Sequence, residues 1–280
     1  SSGTTGEPKA IPWDHTTPVK CAADGWLYQD IHASDVVAWP TSLGWMMGPW
    51  LIYASLINGA TMALYDGAPT IRSYGQFLQQ TGVTILGVVP SMVRAWRQST
   101  CMANLNWSSV RLFSSTGEPS NSDDYLYLMS LANYRPVIEY CGGTEIGGAY
   151  LTSSVIHPAS PTIFTTPALG TNIVILNDKH IQDTKGEAFI TLPSIGLSTS
   201  LLNQNHQKIY FDDSPKVNND VQLRRHGDRI EKLDDCRYRI HGRVDDTMNI
   251  SGIKISSVEI ERVLDSIDKV AETAAIATNN

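Results

Sequence analysis

Positive charge is in short supply in this 280-residue chain: 21 Lys and Arg stand against 28 Asp and Glu, a formal net charge of -7 at pH 7. A nucleic-acid partner is excluded on that ground, because no basic stripe is present to offset phosphate repulsion. A single nucleotide would have to be held by local devices instead: loop amides, single cations and a metal ion. Cysteine is scarce too. Cys21, Cys101, Cys141 and Cys236 lie far apart, with no C-x-x-C pair and no His at zinc-ligand spacing. Reduced thiols in an intracellular protein are therefore expected. No cationic segment followed by an apolar run stands near residue 1, so no secretory signal is expected. Internal repeats and low-complexity tracts are also missing. Charge of either sign vanishes between residues 36 and 65. Pro40, Gly44, Gly48, Pro49 and Gly59 break that stretch, whereas a spanning helix needs about 20 predominantly apolar residues. A buried strand–helix–strand passage of an α/β core is the better reading.

What is present is a core-forming composition, 42% hydrophobic and 18% charged, outside the range of disordered chains. Taken in order, 36–39 reads as a short buried strand, 45–57 as an apolar helix and 60–65 as the next strand. Thr70 is placed to cap a helix over 71–80, with Gly82 to end it. The β-branched and apolar run 83–89 reads as a strand buried on both faces, and Pro90 opens a helix through 97. A strand over 111–114, a helix over 124–131 and a strand over 136–140 complete the alternation. Such alternation predicts a mostly parallel sheet covered on both sides, with ligands beyond the carboxyl ends of its strands. From about 157 the texture becomes antiparallel β, with strands over 172–176, 187–192, 221–225 and 237–241 in a small barrel or sheet. Ser256 and Glu259 form a capping box for a final helix, and a strand is expected near Val270.

The chemistry is concentrated in short loops. Residues 1–9, SSGTTGEPK, combine glycines, hydroxyls and a lysine: backbone freed to turn inward, rotatable donors, and a compact positive charge suited to phosphate. It is not the Walker loop, whose spacing differs; a plain Gly/Ser/Thr turn is the alternative. The full string resembles the signature loop of the adenylate-forming (AMP-binding) superfamily, which includes the acyl-CoA synthetases. That resemblance implies a large domain of parallel sheet layers plus a small antiparallel β-barrel subdomain, then the start of a small α+β domain. The corresponding division is 1–156, 157–244 and 245–280. It also implies that Ser2, Gly3, Thr4, Thr5, Gly6 and Lys9 hold the β- and γ-phosphates of ATP.

Four further segments extend the resemblance. Gly117, Glu118 and Pro119 match the family's adenine-side loop. In the run CGGTEIGG from Cys141, Thr144 matches a hydroxyl to the α-phosphate and Glu145 a carboxylate to Mg2+, a hard cation that bridges phosphate oxygens. Tyr140 takes the place of an aromatic that stacks near adenine. Asp228, in RRHGD, takes the ribose-binding place, a task suited to a two-oxygen acceptor. His226 stands where the family commonly has Thr; a packed or solvated histidine, or a base, are its readings. In HGRVDDTMNISGIK from His241, Arg243 matches the ribose and phosphate contact and Asp245 the hinge. Gly252 matches the pantetheine tunnel, and Lys254 a cation near CoA. Several of these strings resemble plant acyl-activating enzymes of the peroxisomal type.

The implied activity is an acid–CoA ligase: ATP, Mg2+ and CoA are used to make an acyl-adenylate and then a thioester. A catalytically deficient nucleotide-binding fragment and a carrier-protein loader remain alternatives. The family's adenylation lysine belongs beyond Asn280, so the chain reads as cut at both ends. Peroxisomal and cytoplasmic locations both fit. A tryptophan closes the acyl pocket of acetate-specific relatives where this chain has Gly142, so an acid larger than acetate is expected. Lys9, Thr144 and Glu145 are the expected catalytic residues. Lys9, Glu145 and Asp228 must then face one cavity.

Overall fold

The structure, a computed structural model, describes residues 8–216, 222–244, 247–250, 253–265, 267, 270 and 272–276. It opens on a helix that periodicity did not signal, α1 (Thr16–Leu27). Its buried positions include Thr17, Lys20, Cys21 and Asp24, polar groups where an amphipathic pattern looks for apolar ones. The charge-free passage then folds as expected into β1 (Val36–Ala38), α2 (Met47–Ile57) and β2 (Thr61–Met62). Next, α3 (Arg72–Thr81) ends at Gly82, whose φ of 63° is left-handed and carries no Cβ penalty in glycine. Thr70 does not cap this helix; the N-cap is Ile71, which offers no side-chain bond.

After β3 (Ile85–Val88), α4 (Pro90–Ser99) starts on Pro90, whose missing N–H costs nothing in a first turn. Then come β4 (Leu112–Ser115) and α5 (Ser122–Leu131), where the Asn121 side chain accepts from the N–H groups of Asp123 and Asp124. β5 (Val137–Gly143), β6 (Gly148–Thr152) and β7 (Thr166–Pro167) close the first sheet. Its order is β2-β1-β3-β4-β5-β6-β7, parallel through β5 and antiparallel from β5 to β7. This sheet reaches past residue 157, where the sequence texture changes.

Helices cover both faces. Leu86, Val88 and Phe113 pack with Trp96 of α4 on one side, and Val37, Ile85 and Ile138 pack with Trp50 of α2 on the other. Adjacent residues Ile85 and Leu86 belong to opposite cores, as strand alternation requires. A second, antiparallel sheet contains β8 (Asn172–Leu176) and β9 (Lys185–Thr191). After the short α6 (His206–Tyr210) it adds β10 (Leu223–Lys232) and β11 (Tyr238–Arg243), in the order β11-β10-β9-β8. The β9–β10 register shifts between Arg225 and Arg229, which takes residues 226–228 out of register with β9, while Asp228 pairs with Arg243 of β11. A two-stranded sheet, β12 (Thr247–Ile250) and β13 (Ile253–Ser256), precedes α7 (Ser257–Asp265). Ser256 directly precedes that helix, but the Glu259 side chain of the expected capping box lies outside the described ones. No strand follows among residues 272–276. The fold is thus α/β, a mainly parallel sheet beside an antiparallel one. All four cysteines are unpaired, and no helix among the described residues is long and apolar enough to cross a membrane.

Polar burial on α1 has a structural purpose. Lys20 Nζ donates to Asp24 Oδ1 at 2.7 Å, while Asp24 Oδ2 accepts from Tyr140 Oη at 2.6 Å and Ala149 N at 2.8 Å. The helix is thereby bonded to both β5 and β6 beneath the turn between them. Asp24→Ala leaves Lys20 buried without its counter-charge and should cost about 3–5 kcal/mol. Urea unfolding of the variant and its parent measures that loss.

Candidate active site

Beyond the carboxyl ends of the parallel strands lies a cavity of about 910 Å³. Its lining includes Lys9, Gly117, Glu118, Pro119, Thr144, Glu145, Asp228 and Arg243. Segments more than 200 residues apart in sequence thus meet in one cavity, as the sequence required of Lys9, Glu145 and Asp228. Of the other expected residues, Ser2, Gly3, Thr4, Thr5, Gly6, Asp245 and Gly252 lie outside the described residues. Lys254 is on β13, but its side chain is outside the described ones.

Asp228 is the most heavily bonded group. Oδ2 accepts from Tyr150 Oη at 2.7 Å and pairs with His226 Nε2 at 3.1 Å; Oδ1 accepts from Arg243 Nη1 at 3.1 Å. Burial opposes its charge, but His226, Arg243 and the Tyr150 hydroxyl hold its carboxyl well below the usual range. His226 is packed rather than solvated, its ring 4.2 Å from that of Tyr150, and its Nε2 is engaged with Asp228, which leaves it poorly placed as a general base. Gly227 has φ of 88°, and a Cβ there would lie 2.6 Å from Arg243 Nη2. Glycine is needed on both counts. Arg243 Nη1 also donates to the His226 carbonyl at 2.8 Å, so β10 and β11 hold the guanidinium in place.

The loop after β5 is tied at two consecutive carbonyls. Trp13 Nε1 donates to the Thr144 carbonyl at 2.8 Å, and the Ser198 N–H donates to the Glu145 carbonyl at 2.8 Å. The Glu145 side chain is half-buried. Desolvation works against its charge, yet His226, its own backbone N–H, Arg224 and Lys9 together lower its pKa. An ionised carboxylate among cations suits Mg2+ that arrives with phosphate. Among the described residues no group of three or more His, Cys, Asp or Glu could hold a metal alone, so phosphate and water would supply most ligands.

Two expectations need correction, and a third position has a further structural reason. Tyr140 does not present its ring for stacking. It is 1% exposed, bonded through its hydroxyl to Asp24 and set edge-on to Trp50 at 5.6 Å, because strand alternation turns it into the core. The Glu118 carboxylate is likewise engaged: it accepts from the N–H and the hydroxyl of Ser91, both at 2.8 Å, as a cap on the first turn of α4. Gly142 lines the cavity, and it also has a structural role. A Cβ there would lie 1.8 Å from the Gly148 carbonyl oxygen, so close approach of β6 at a bulge accounts for the glycine.

Sequence reasoning also missed residues. Glu139 is 3% exposed in the cavity wall, where it accepts from Ser120 Oγ at 2.8 Å and Thr162 N at 3.2 Å. A lone carboxylate inside an apolar strand was the available signal. Trp39 lies across Gly87, where a Cβ would be 1.8 Å from its ring, and forms part of an apolar wall with Met46, Met47 and Val89. Nothing local in the sequence pairs those positions.

These features define a nucleotide-sized cavity in an α/β fold with a phosphate-type lysine, a metal-type carboxylate and a diol-type acceptor. Comparison with known proteins specifies the family. Residues 1–196 match the model of the AMP-binding enzymes. The chain is 53% identical over 282 residues to hexanoyl-CoA synthase of Cannabis sativa, covering 99% of this chain and 39% of that protein. It is 52% identical to probable acyl-activating enzyme 17, peroxisomal, of Arabidopsis thaliana, with the same coverage of 99% and 39%. Acetoacetyl-CoA synthetase from Streptomyces lividans superposes with a TM-score of 0.85 at 27% identity, over 97% of this chain and 43% of that one. The chain belongs to the AMP-binding enzyme family. It spans 39% of the length of those two curated relatives.

Two outcomes follow from the geometry. Gly142→Ala should destabilise the protein by about 1–3 kcal/mol or more, read as a lowered thermal midpoint. The pKa of Asp228 is depressed by folding, so its contribution is complete above the unfolded value of about 3.9 and is lost as pH falls through the folded value. Asp228→Asn should therefore be less stable than its parent at neutral pH, by on the order of 2 kcal/mol. Urea midpoints of the two should converge as pH is lowered below about 4.

Proposed function

We propose that this chain forms the nucleotide-binding part of an AMP-forming acid–CoA ligase. The observation that carries the reading is the convergence of Lys9, Thr144, Glu145, Asp228 and Arg243 on one cavity. A carboxylate substrate attacks the α-phosphorus of ATP; the new bond is acyl oxygen to phosphorus, and pyrophosphate leaves with the electrons of the broken bond. The thiol of CoA then adds to the acyl carbon and AMP departs. Such transfers depend on positioning and on charge stabilisation. Lys9 meets the phosphate chain, and Asp228 accepts from the ribose hydroxyls while Arg243 holds it oriented. Thr144 stands beside the α-phosphate. Mg2+, bound at Glu145, would neutralise charge on the phosphate chain. Ser2, Gly3, Thr4, Thr5 and Gly6 complete the phosphate loop on this reading.

Glu118 and Tyr140 contribute to the adenine side by placing the backbone of their segments, since their side chains are committed elsewhere. The apolar wall of Trp39, Met46, Met47 and Val89 favours an acid with an apolar tail, in line with the hexanoyl-CoA synthase relative. Residues 1–156 and 157–244 are then the two parts of the large domain. Residues 245–280 begin the smaller one, with Asp245 as hinge and Gly252 and Lys254 on the CoA side. A peroxisomal location accords with the name of the Arabidopsis relative.

Acid-dependent exchange of labelled pyrophosphate into ATP tests the first half-reaction, in the protein with its flanking sequence and a panel of short to medium-chain acids. Thioester formation with CoA tests the second. Exchange is expected with at least one acid, and Asp228→Asn should raise the KM for ATP by about 10- to 100-fold, the worth of hydrogen bonds to a charged group. No exchange with any acid would reject the assignment.

A further inference from the structure

The segment between β9 and β10 reaches both sides of the cavity. Ser198, near its start, makes three tethers. Its N–H donates to the Glu145 carbonyl at 2.8 Å, its Oγ accepts from Arg224 Nη2 at 2.8 Å, and its carbonyl pairs with His206 Nε2 at 2.8 Å. A few residues on, the Leu202 N–H donates to the Ala10 carbonyl at 2.9 Å. Asn203 brackets the same stretch, with Oδ1 accepting from Ala10 N at 2.9 Å and Nδ2 donating to the Pro8 carbonyl at 2.8 Å. One strap therefore grips the backbone on either side of Lys9 and, through Ser198, the backbone of Glu145.

The strap ends in α6, which presents Tyr210. Its ring is buried, 4% exposed, with Arg224 Cζ at 3.9 Å and Lys9 Nζ at 5.3 Å from the ring centroid. Both distances fall within about 6 Å, the range over which the negative face of an aromatic ring attracts a cation. Arg224 is 1% exposed and fixed by Ser198, so the ring rests on an immobile group. Lys9 has a flexible four-carbon stem, and contact with the ring face narrows the rotamers open to its ammonium.

We infer that Tyr210 is a positioning residue for Lys9: its ring face holds the ammonium at the cavity wall, ready for the phosphate chain of a nucleotide. Four structural facts support it together: the ring's burial, its seat on Arg224, the zipper at residues 8–10, and the tether of the same strap to Glu145. The strap thereby sets the separation between the cation and the carboxylate that flank the phosphates. The inference rests on the nucleotide reading given above.

The test replaces Tyr210 by Phe and then by mono-, di- and trifluorinated Phe in the whole protein, including whatever sequence flanks residues 1–280. Fluorine withdraws charge from the ring face with little change of volume, so packing is nearly constant while attraction for a cation fades. Two readouts are taken: the rate of Lys9 modification by an amine reagent, followed by mass spectrometry without nucleotide, and the Kd for MgATP by titration. Across the series the modification rate should rise, and MgATP binding should weaken by about fivefold, with thermal midpoints recorded to separate loss of fold. In a Lys9→Met background the dependence of Kd on fluorine number should disappear. A modification rate and Kd indifferent to fluorination, or a dependence that persists without Lys9, overturns the inference while leaving nucleotide binding intact. No MgATP binding with Tyr at 210 overturns the nucleotide reading and this inference with it.

Discussion

Tyr150 on β6, His226 on β10 and Arg243 on β11 meet at the carboxylate of Asp228. A carboxylate so buried is costly unless its oxygens are bonded and its charge is answered. The partners come from both sheets, so the bonds form only when the antiparallel sheet is seated correctly against β5 and β6. The bulge between Arg225 and Arg229 on the β9 side makes the meeting geometrically available, while Asp228 stays paired with Arg243 of β11. Gly227 supplies the backbone conformation and the space that Arg243 needs. The Asp228 side of the cavity and the junction of the two sheets are thus one arrangement.

The side that carries Lys9 and Glu145 follows a different logic. The chain is acidic as a whole, with net charge -7, yet Lys9, Arg224 and Arg243 act on the electrostatics near Glu145 and Asp228. A local field of this kind inside a low-dielectric cleft is felt more strongly than dispersed surface charge of the opposite sign. Aiming it requires fixed positions, which the β9–β10 segment supplies through backbone bonds to residues 8–10 and 145. Beneath the same loop, Asp24 locks α1 to Tyr140 and Ala149. The turn carrying Thr144 and Glu145 is therefore held by α1, and at two consecutive carbonyls by Trp13 and Ser198.

Much of the fold was legible in the chain. The β-branched run before Pro90 became β3 followed by α4, and Gly82 ended α3 with the left-handed φ that glycine permits. Loops rich in glycine with a single carboxylate or lysine marked the site, since close backbone approach to phosphate restricts the residues that fit. The failures share a cause. The direction of the Tyr140 and Glu118 side chains, and the room for one at Gly142, depended on distant partners: Asp24, Ser91 and the Gly148 carbonyl. α1 was missed because its buried face is polar, and Glu139 because one charge within a strand carries no periodic signal.

The amino-acid order alone determined the alternation of strands and helices, the antiparallel strands of the second sheet and the identity of the loops that carry charge. These depend on local sterics and on the burial pattern of neighbouring residues, which a linear string records. Only the tertiary structure decided which groups point into the cavity, which are spent on holding it, and that Tyr210 and Arg224 stand behind Lys9 and Glu145. Those outcomes depend on through-space contacts between residues as far apart as Lys9 and Tyr210, and distance in space is the quantity that sequence spacing does not encode.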